Sequence, residues 1–181
     1  MSEVGFDSCN GAMPSPTVFL LLLASAAPGT EIAHARDTGW RTVQLEARSC
    51  GWVTKLEAEL ELGRRLEAGA DEQEGGESSC TYAAGDGKEA MVRISSQQLP
   101  AGVDPAHELA VLKAGFPDAA ICPIPGLGRW AVLMQIPGAG AQAHVVSESG
   151  KYLLVSVLGF GDGARVTAAA EALARKAASR L

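Results

Sequence analysis

The chain has few groups able to do chemistry near neutral pH. Its 181 residues include three His, and Phe, Trp and Tyr together supply 5%. Nucleophile–His pairs and aromatic platforms for single-stranded nucleic acid are therefore both poorly provided for. Positive charge is short as well. Lys and Arg number 15 against 21 Asp and Glu, a net charge of −6, so no basic footprint marks the chain for nucleic acid or an anionic membrane. Apolar runs are brief: VFLLLLASAA at 18–27 is too short to cross a hydrocarbon core of about 30 Å as a helix. The four cysteines have no zinc-type ligand spacing and no His beside them, so their pattern gives no reason to expect a metal.

What is present reads as a globular domain with an appendage. The composition, 47% hydrophobic and 20% charged, is that of a soluble globular chain. The apolar run is broken by Pro28-Gly29 and followed by Ala33-His34-Ala35, which is the small-residue pattern a signal peptidase selects. The expectation is a signal peptide over 1–35, cleaved after Ala35, and a single domain over 36–181. Glu3 and Asp7, not Lys or Arg, precede the run; initiation at Met13 would leave the amino terminus as its only charge, which suits export better. No Cys follows the run before Cys50, so a lipid anchor is not expected. Removing 1–35 takes Glu3, Asp7 and Glu31 and no base, leaving 18 acids against 15 bases and a net charge near −3. The remainder is long enough for one core that buries roughly two-thirds of the unfolded surface.

Export changes how the cysteines read. Cys9 leaves with the signal, and an oxidising compartment favours pairing among the remainder. Cys50 and Cys80 bracket one helix and one acidic segment; a bridge between them would contribute roughly 3–4 kcal/mol by chain entropy. Cys122 sits in the apolar stretch Ala119-Ala120-Ile121-Cys122 and is expected to be a buried, reduced thiol.

Residues 36–49 are polar and mixed, a lead-in strand or arm. Thr54-Lys55-Leu56-Glu57 is a capping box and Gly63 a helix stop. Leu56 and Leu60 share a face of that helix, while Glu57, Glu59 and Glu61 read as its solvated side. The segment 69–79, GADEQEGGESS, reads as a solvated, mobile loop; it lacks the ligand spacing of a calcium loop. Strands are expected at 79–84 and 89–97 about a Gly85-Asp86-Gly87 turn. A helix follows from Asp104, with Pro105 in its first position and Leu109 and Leu112 inward. Further strands are expected at 119–124, 130–136, 141–148 and 151–158. The final helix, 164–181, carries Val166, Ala170, Leu173, Ala177 and Leu181 on one stripe, and Arg175, Lys176 and Arg180 suit its C-terminal dipole. The expected fold class is α+β: a single antiparallel sheet of about five or six strands with helices packed on one face, including a C-terminal helix.

Several short stretches point further. The run 50–63 (CGWVTKLEAELELG), Ser79-Cys80-Thr81-Tyr82, Pro125-Gly126-Leu127-Gly128-Arg129-Trp130, the strand Lys151-Tyr152-Leu153-Leu154-Val155-Ser156-Val157 and the terminal Ala172-Leu173-Ala174-Arg175-Lys176 resemble small secreted bacterial lipoprotein-type domains of unknown function. These are similar in plan to PsbP-like folds. The chain departs from the lipoprotein members in lacking a lipidated Cys. The resemblance implies an envelope location and a Cys50–Cys80 bridge, and no catalytic residue.

Candidate chemistry is sparse. Gly159-Phe160-Gly161-Asp162-Gly163-Ala164 matches a dinucleotide fingerprint in spacing, but no second strand follows for a βαβ unit. It is expected to be a strand-to-helix turn without nucleotide. His107, in a helix's first turn, and His144, alternating on a strand, read as surface or half-buried residues. Trp40, Trp52 and Trp130 are spread along the chain and read as core packing. No cofactor and no catalytic residue are expected. The reading that follows is a non-catalytic periplasmic or secreted domain that binds an unidentified protein or small molecule in the cell envelope, with no nucleic acid and no stable membrane insertion after cleavage. An inhibitor or immunity-type protein acting on a secreted hydrolase is the alternative. The candidate interaction residues are Pro125, Gly126, Leu127 and Arg129 in one loop, and Asp71, Glu72 and Glu74 in the acidic segment.

Overall fold

Thr54 starts the first helix as its capping box requires. Its Oγ1 accepts from the Glu57 N–H while Glu57 Oε2 accepts from the Thr54 N–H at 2.9 Å, and Gly63 closes the C-terminus. The computed structural model describes residues 49–85, 89–100, 102–161 and 163–181. The expected signal cleavage, Cys9, the arm at 36–48 with Trp40, Asp86-Gly87 of the expected turn, and Asp162 lie outside the described residues.

A 3-10 turn, Ser49–Gly51, precedes that helix, α1 (Lys55–Leu62). Then come β1 (Ala70–Glu74), β2 (Glu77–Ala83), β3 (Met91–Gln98), α2 (Pro105–Gly115), β4 (Ala120–Pro123), β5 (Trp130–Ile136), β6 (Gly140–Val146), β7 (Lys151–Leu158) and α3 (Ala164–Ala178). The strands form one sheet in the order β1-β2-β3-β7-β6-β5-β4, with every pair antiparallel. Two meanders, β1 to β3 and β4 to β7, are joined along the β3–β7 seam. The fold class is the α+β one expected, with seven strands among the described residues rather than five or six.

The additional strand is β1, where a mobile loop was expected. Ala70–Glu74 is exposed throughout, and its polar composition carries no strand signal. The decisive residues are Gly75 and Gly76, at φ +58° and +87°. Two consecutive left-handed residues are what a two-residue hairpin turn needs, and Glu74 accordingly pairs with Glu77.

Alternation divides the sheet into two faces. One carries Val92 and Ile94, Leu133, Ala141, Ala143 and Val145, Leu153, Val155 and Val157, all in the core. On it lies α3, burying Val166, Ala169, Ala170, Leu173, Ala174 and Ala177. Alanines on both sides, in α3 and in β6, let helix and sheet approach closely. Next to α3, α1 buries Ala58 and Leu62.

The helices differ from expectation at several points. Leu56 and Leu60 do share a face of α1, but that face is solvent-exposed, at 64% and 69%. The acids read as solvated are the ones that tie the helix down. Glu57 takes Arg180 of the α3 terminus at 2.6 and 2.8 Å, Glu59 accepts from the Leu66 N–H at 2.9 Å, and Glu61 lies 3.7 Å from Lys176. The Arg180 guanidinium, with the Thr54 N–H, holds the Glu57 carboxyl well below the usual carboxylate range. In α2 no residue is fully buried, and Leu109 and Leu112 are half-buried. Leu109 and Lys113 line a small cleft with Ile121, Pro123, Trp130 and Val132, so α2 lies by the reverse of the sheet, across from α3, and the helices do not all pack on one face as expected: the inward residues of α2 meet the apolar reverse of β4 and β5 instead.

Candidate functional site

The loop that leaves β4 is held to the rest of the fold on both sides of Gly126. Ile124 is buried and its N–H donates to Ala131 O at 2.9 Å; the Pro125 carbonyl accepts from Arg175 Nη2 at 3.2 Å; Leu127 is buried; the Arg129 N–H donates to Val146 O at 2.9 Å. Gly128 has φ +60°, and a Cβ built there would lie 2.3 Å from Val146 O. Any side chain would therefore combine left-handed strain with a backbone clash. Gly128→Ala is expected to cost about 2 kcal/mol or more of stability, read as a lowered midpoint in urea; an unchanged midpoint contradicts this anchoring.

Held this way, Leu127 and Gly128 meet the β6–β7 turn (Ser147 to Ser149) and the end of α3 (Arg175, Ala178, Leu181) around a cleft of about 390 Å³. The size falls within the roughly 300–1,000 Å³ of small-molecule sites. Leu127, Ala178 and Leu181 give it an apolar lining, and three Ser hydroxyls with Arg175 and Glu148 supply polar groups. Arg175 is also hydrogen-bonded to Glu171 at 2.8 Å, which fixes its guanidinium plane. Of the loop residues singled out in the sequence, Leu127 lines the cleft. Pro125 and Arg129 act through backbone groups, and Gly126 is exposed. Arg175, which reads in the sequence as a dipole-matching cation, is the member that sequence reasoning missed. The cleft gathers three segments distant in sequence, and no local pattern signals that.

The acidic candidates part company. Successive residues of β1 face opposite sides, so Glu72 and Glu74 lie with Glu77, Ser79 and Arg93 along a shallow groove on the reverse of the sheet, with an Arg93–Glu77 ion pair at 3.2 Å. Asp71 faces the other way. Its Oδ1 accepts from Ser49 Oγ at 2.8 Å and from the Cys50 N–H at 2.9 Å, so its carboxylate fastens the entering turn to β1.

Cys50 and Cys80 are bridged. Around the bridge Ser49 Oγ also contacts Ser79 O at 2.7 Å, and the Tyr82 hydroxyl donates to Val53 O at 2.6 Å. Burial, with the Asp71 and Glu57 charges adding to it, pushes the Tyr82 phenol up to about 12. Cys122 departs from the expectation of a reduced thiol: it is buried but disulfide-bonded, with its partner outside the described residues.

The two described histidines stand apart on different elements. His107 is exposed on α2. His144, expected at or near the surface, is 4% exposed on the reverse of the sheet. Its Nδ1 hydrogen-bonds the Tyr152 hydroxyl and, among the described residues, its Nε2 has no hydrogen-bond partner. Burial lowers the imidazole to about 4 and, with the Glu108 charge adding to it, raises the Tyr152 phenol to about 12. Among the described residues neither imidazole hydrogen-bonds a carboxylate, a serine or a cysteine. The glycine-rich turn leads from β7, which is antiparallel to both neighbours, into α3 capped at Gly163; this is not the parallel setting that a dinucleotide fingerprint requires.

Comparison with known proteins found no family model that matches the chain, and no curated protein or solved structure with significant similarity to it.

Proposed function

We propose that this is a non-catalytic binding domain of an exported, cell-envelope protein, and that the cleft between the 125–129 loop, the β6–β7 turn and the end of α3 receives a small, largely apolar ligand with a hydrogen-bonding end. The observation that carries the reading is the cleft itself: a ligand-sized space whose walls are fixed by Leu127, by Gly128 against Val146 O, and by the Arg175–Pro125 contact. A Cys50–Cys80 bridge is compatible with export, and among the described residues no helix is long and apolar enough to cross a membrane. The resemblance to PsbP-like secreted domains belongs to the same proposal. The scarcity of convergent titratable groups supports recognition rather than turnover.

Anilinonaphthalene sulfonate, an apolar fluorophore with one anionic group, is a suitable first probe. Titrated into the labelled protein, it is expected to shift the amide signals of Leu127, Gly128, Ser147, Ser149 and Leu181, saturating at one equivalent. Shifts confined to α2 or to β1 would contradict the assignment.

A second reading, an inhibitor or immunity-type protein, is favoured by one feature. The β1–β2 hairpin presents Glu72, Glu74 and Glu77 on one face, a surface suited to a basic partner. Binding of such a partner that weakened on Glu72→Lys/Glu74→Lys and with added salt would support this reading over the cleft.

A further inference from the structure

Thirty residues separate Cys50 from Cys80, so no ligand motif appears in the sequence, yet the fold brings a third donor to the same point. Asp71 stands directly opposite Cys80 in the β1–β2 ladder. The two sulfurs and an Asp71 carboxylate oxygen all lie within 4.8 Å of one another. From these positions we propose that, once the bridge is reduced, Cys50, Cys80 and Asp71 form a site for a zinc-type divalent ion, with a water as the fourth ligand.

The carboxylate is prepared for the role. Among the described residues its hydrogen bonds, from Ser49 Oγ and the Cys50 N–H, both go to Oδ1, which orients the group with Oδ2 unengaged by them. Such outer contacts position ligands in natural metal sites. Two thiolates and one carboxylate are a donor set that selects zinc-like ions over magnesium or calcium. In tetrahedral coordination with Zn–S near 2.3 Å the two sulfurs would stand about 3.8 Å apart. Gly69 packs closely against them: a Cβ there would come 2.6 Å from Tyr82 Cε1, 2.8 Å from Cys50 Sγ and 3.1 Å from Cys80 Sγ, so only a residue without a side chain leaves the sulfurs unobstructed on that side. Asp71 is exposed and Cys50 half-buried, so the group can be reached from solvent on that side.

The chemistry balances with a dithiol reductant. Two electrons and two protons pass from the dithiol to the S–S bond, which breaks into two thiols as the dithiol closes to its own disulfide. Metal uptake then releases the two thiol protons, and each thiolate donates an electron pair to the ion. The bridge becomes a redox-gated metal site: closed when oxidised, open when reduced.

The test is a cobalt titration of protein in which Cys9 and Cys122 are both replaced by Ser, leaving only this pair. A phosphine serves as the reductant; it leaves as its oxide, with oxygen from water, and does not compete as a thiol would. The reduced protein is expected to take up one Co²⁺ with thiolate-to-cobalt charge-transfer and tetrahedral d–d bands, to release it to Zn²⁺, and to keep its near-UV dichroism. The oxidised protein is expected to show none of these bands. Asp71→Asn should weaken the affinity by about tenfold or more, and Ser49→Ala by a smaller factor. If the two Ser substitutions unfold the chain, the Asp71→Asn comparison is made in the four-cysteine protein. Absence of the bands in the reduced protein would overturn the proposal. So would an Asp71→Asn affinity equal to the parent's, which is what a dithiol on an unfolded chain would give.

Discussion

Replacing Cys50 and Cys80 together by Ser is expected to lower the free energy of unfolding by roughly 3–4 kcal/mol, the chain-entropy value for a loop of this length. The bridge closes a separation of 30 residues that holds α1 and all of β1. The loss should fall on the entering segment first. The 3-10 turn meets the sheet through Ser49–Asp71, Ser49–Ser79 and Tyr82–Val53, contacts that the bridge aligns. Urea unfolding of the double variant, followed by dichroism, should show a lower midpoint, and amide exchange should rise over Ser49 to Leu66 before it rises in β5 to β7. A midpoint unchanged within error would mean that the bridge adds nothing to what these hydrogen bonds already fix.

Acid has a comparably large effect through His144. Its folded value lies near 4 because burial penalises the imidazolium, against 6.5 unperturbed. The folded protein therefore resists a proton that the unfolded chain accepts. Stability is complete above about pH 6.5, falls as the pH drops, and has lost its full share below about pH 4. The shift corresponds to at most roughly 3 kcal/mol. Glu57 pulls in the same direction, but lower. Its carboxyl is held beneath the usual range by Arg180, so its share persists until the pH falls below about 4.5, where the unfolded carboxylate begins to protonate. The interval between pH 6.5 and 4.5 thus isolates the histidine. His144→Phe with Tyr152→Phe exchanges the buried polar pair for apolar groups of like shape, which leaves no partner orphaned. The double variant is expected to show a flat stability profile across that interval where the parent slopes. An equal slope in both would remove His144 as its source.

The elements most legible in the sequence are those whose signals are local. The α1 capping box, Asp104 and Pro105 opening α2, and the stripe from Val166 to Ala177 each satisfy backbone or packing needs within a few residues, and each lies where its pattern puts it. The same holds for β5 and β7. Misreadings arise where a composition hides a geometry. ADEQE has little strand propensity, so β1 depends on the Gly75-Gly76 turn and on the partner strand rather than on its own residues. The acids of α1 read as solvent-facing by composition, while their outcome was decided by Arg180 and Lys176 more than a hundred residues away. His144 reads as half-exposed because alternation alone does not say how deeply the reverse of the sheet is covered. The cleft was legible only as the loop at 125–129. Its other walls come from the β6–β7 turn and the end of α3, and only the assembled sheet sets those beside Leu127.

Calorimetry on a variant that fills the cleft decides whether ligand binds there. Ser179 lies exposed on the rim, where a Trp can project across the opening without entering the core. With anilinonaphthalene sulfonate as titrant, the parent protein is expected to bind one equivalent and Ser179→Trp to bind at least about tenfold more weakly, a loss of roughly 1.4 kcal/mol, while His107→Ala and Glu72→Gln/Glu74→Gln bind as the parent does. Equal affinity in the parent and Ser179→Trp, or a loss produced instead by the His107 or Glu72/Glu74 changes, would contradict the account.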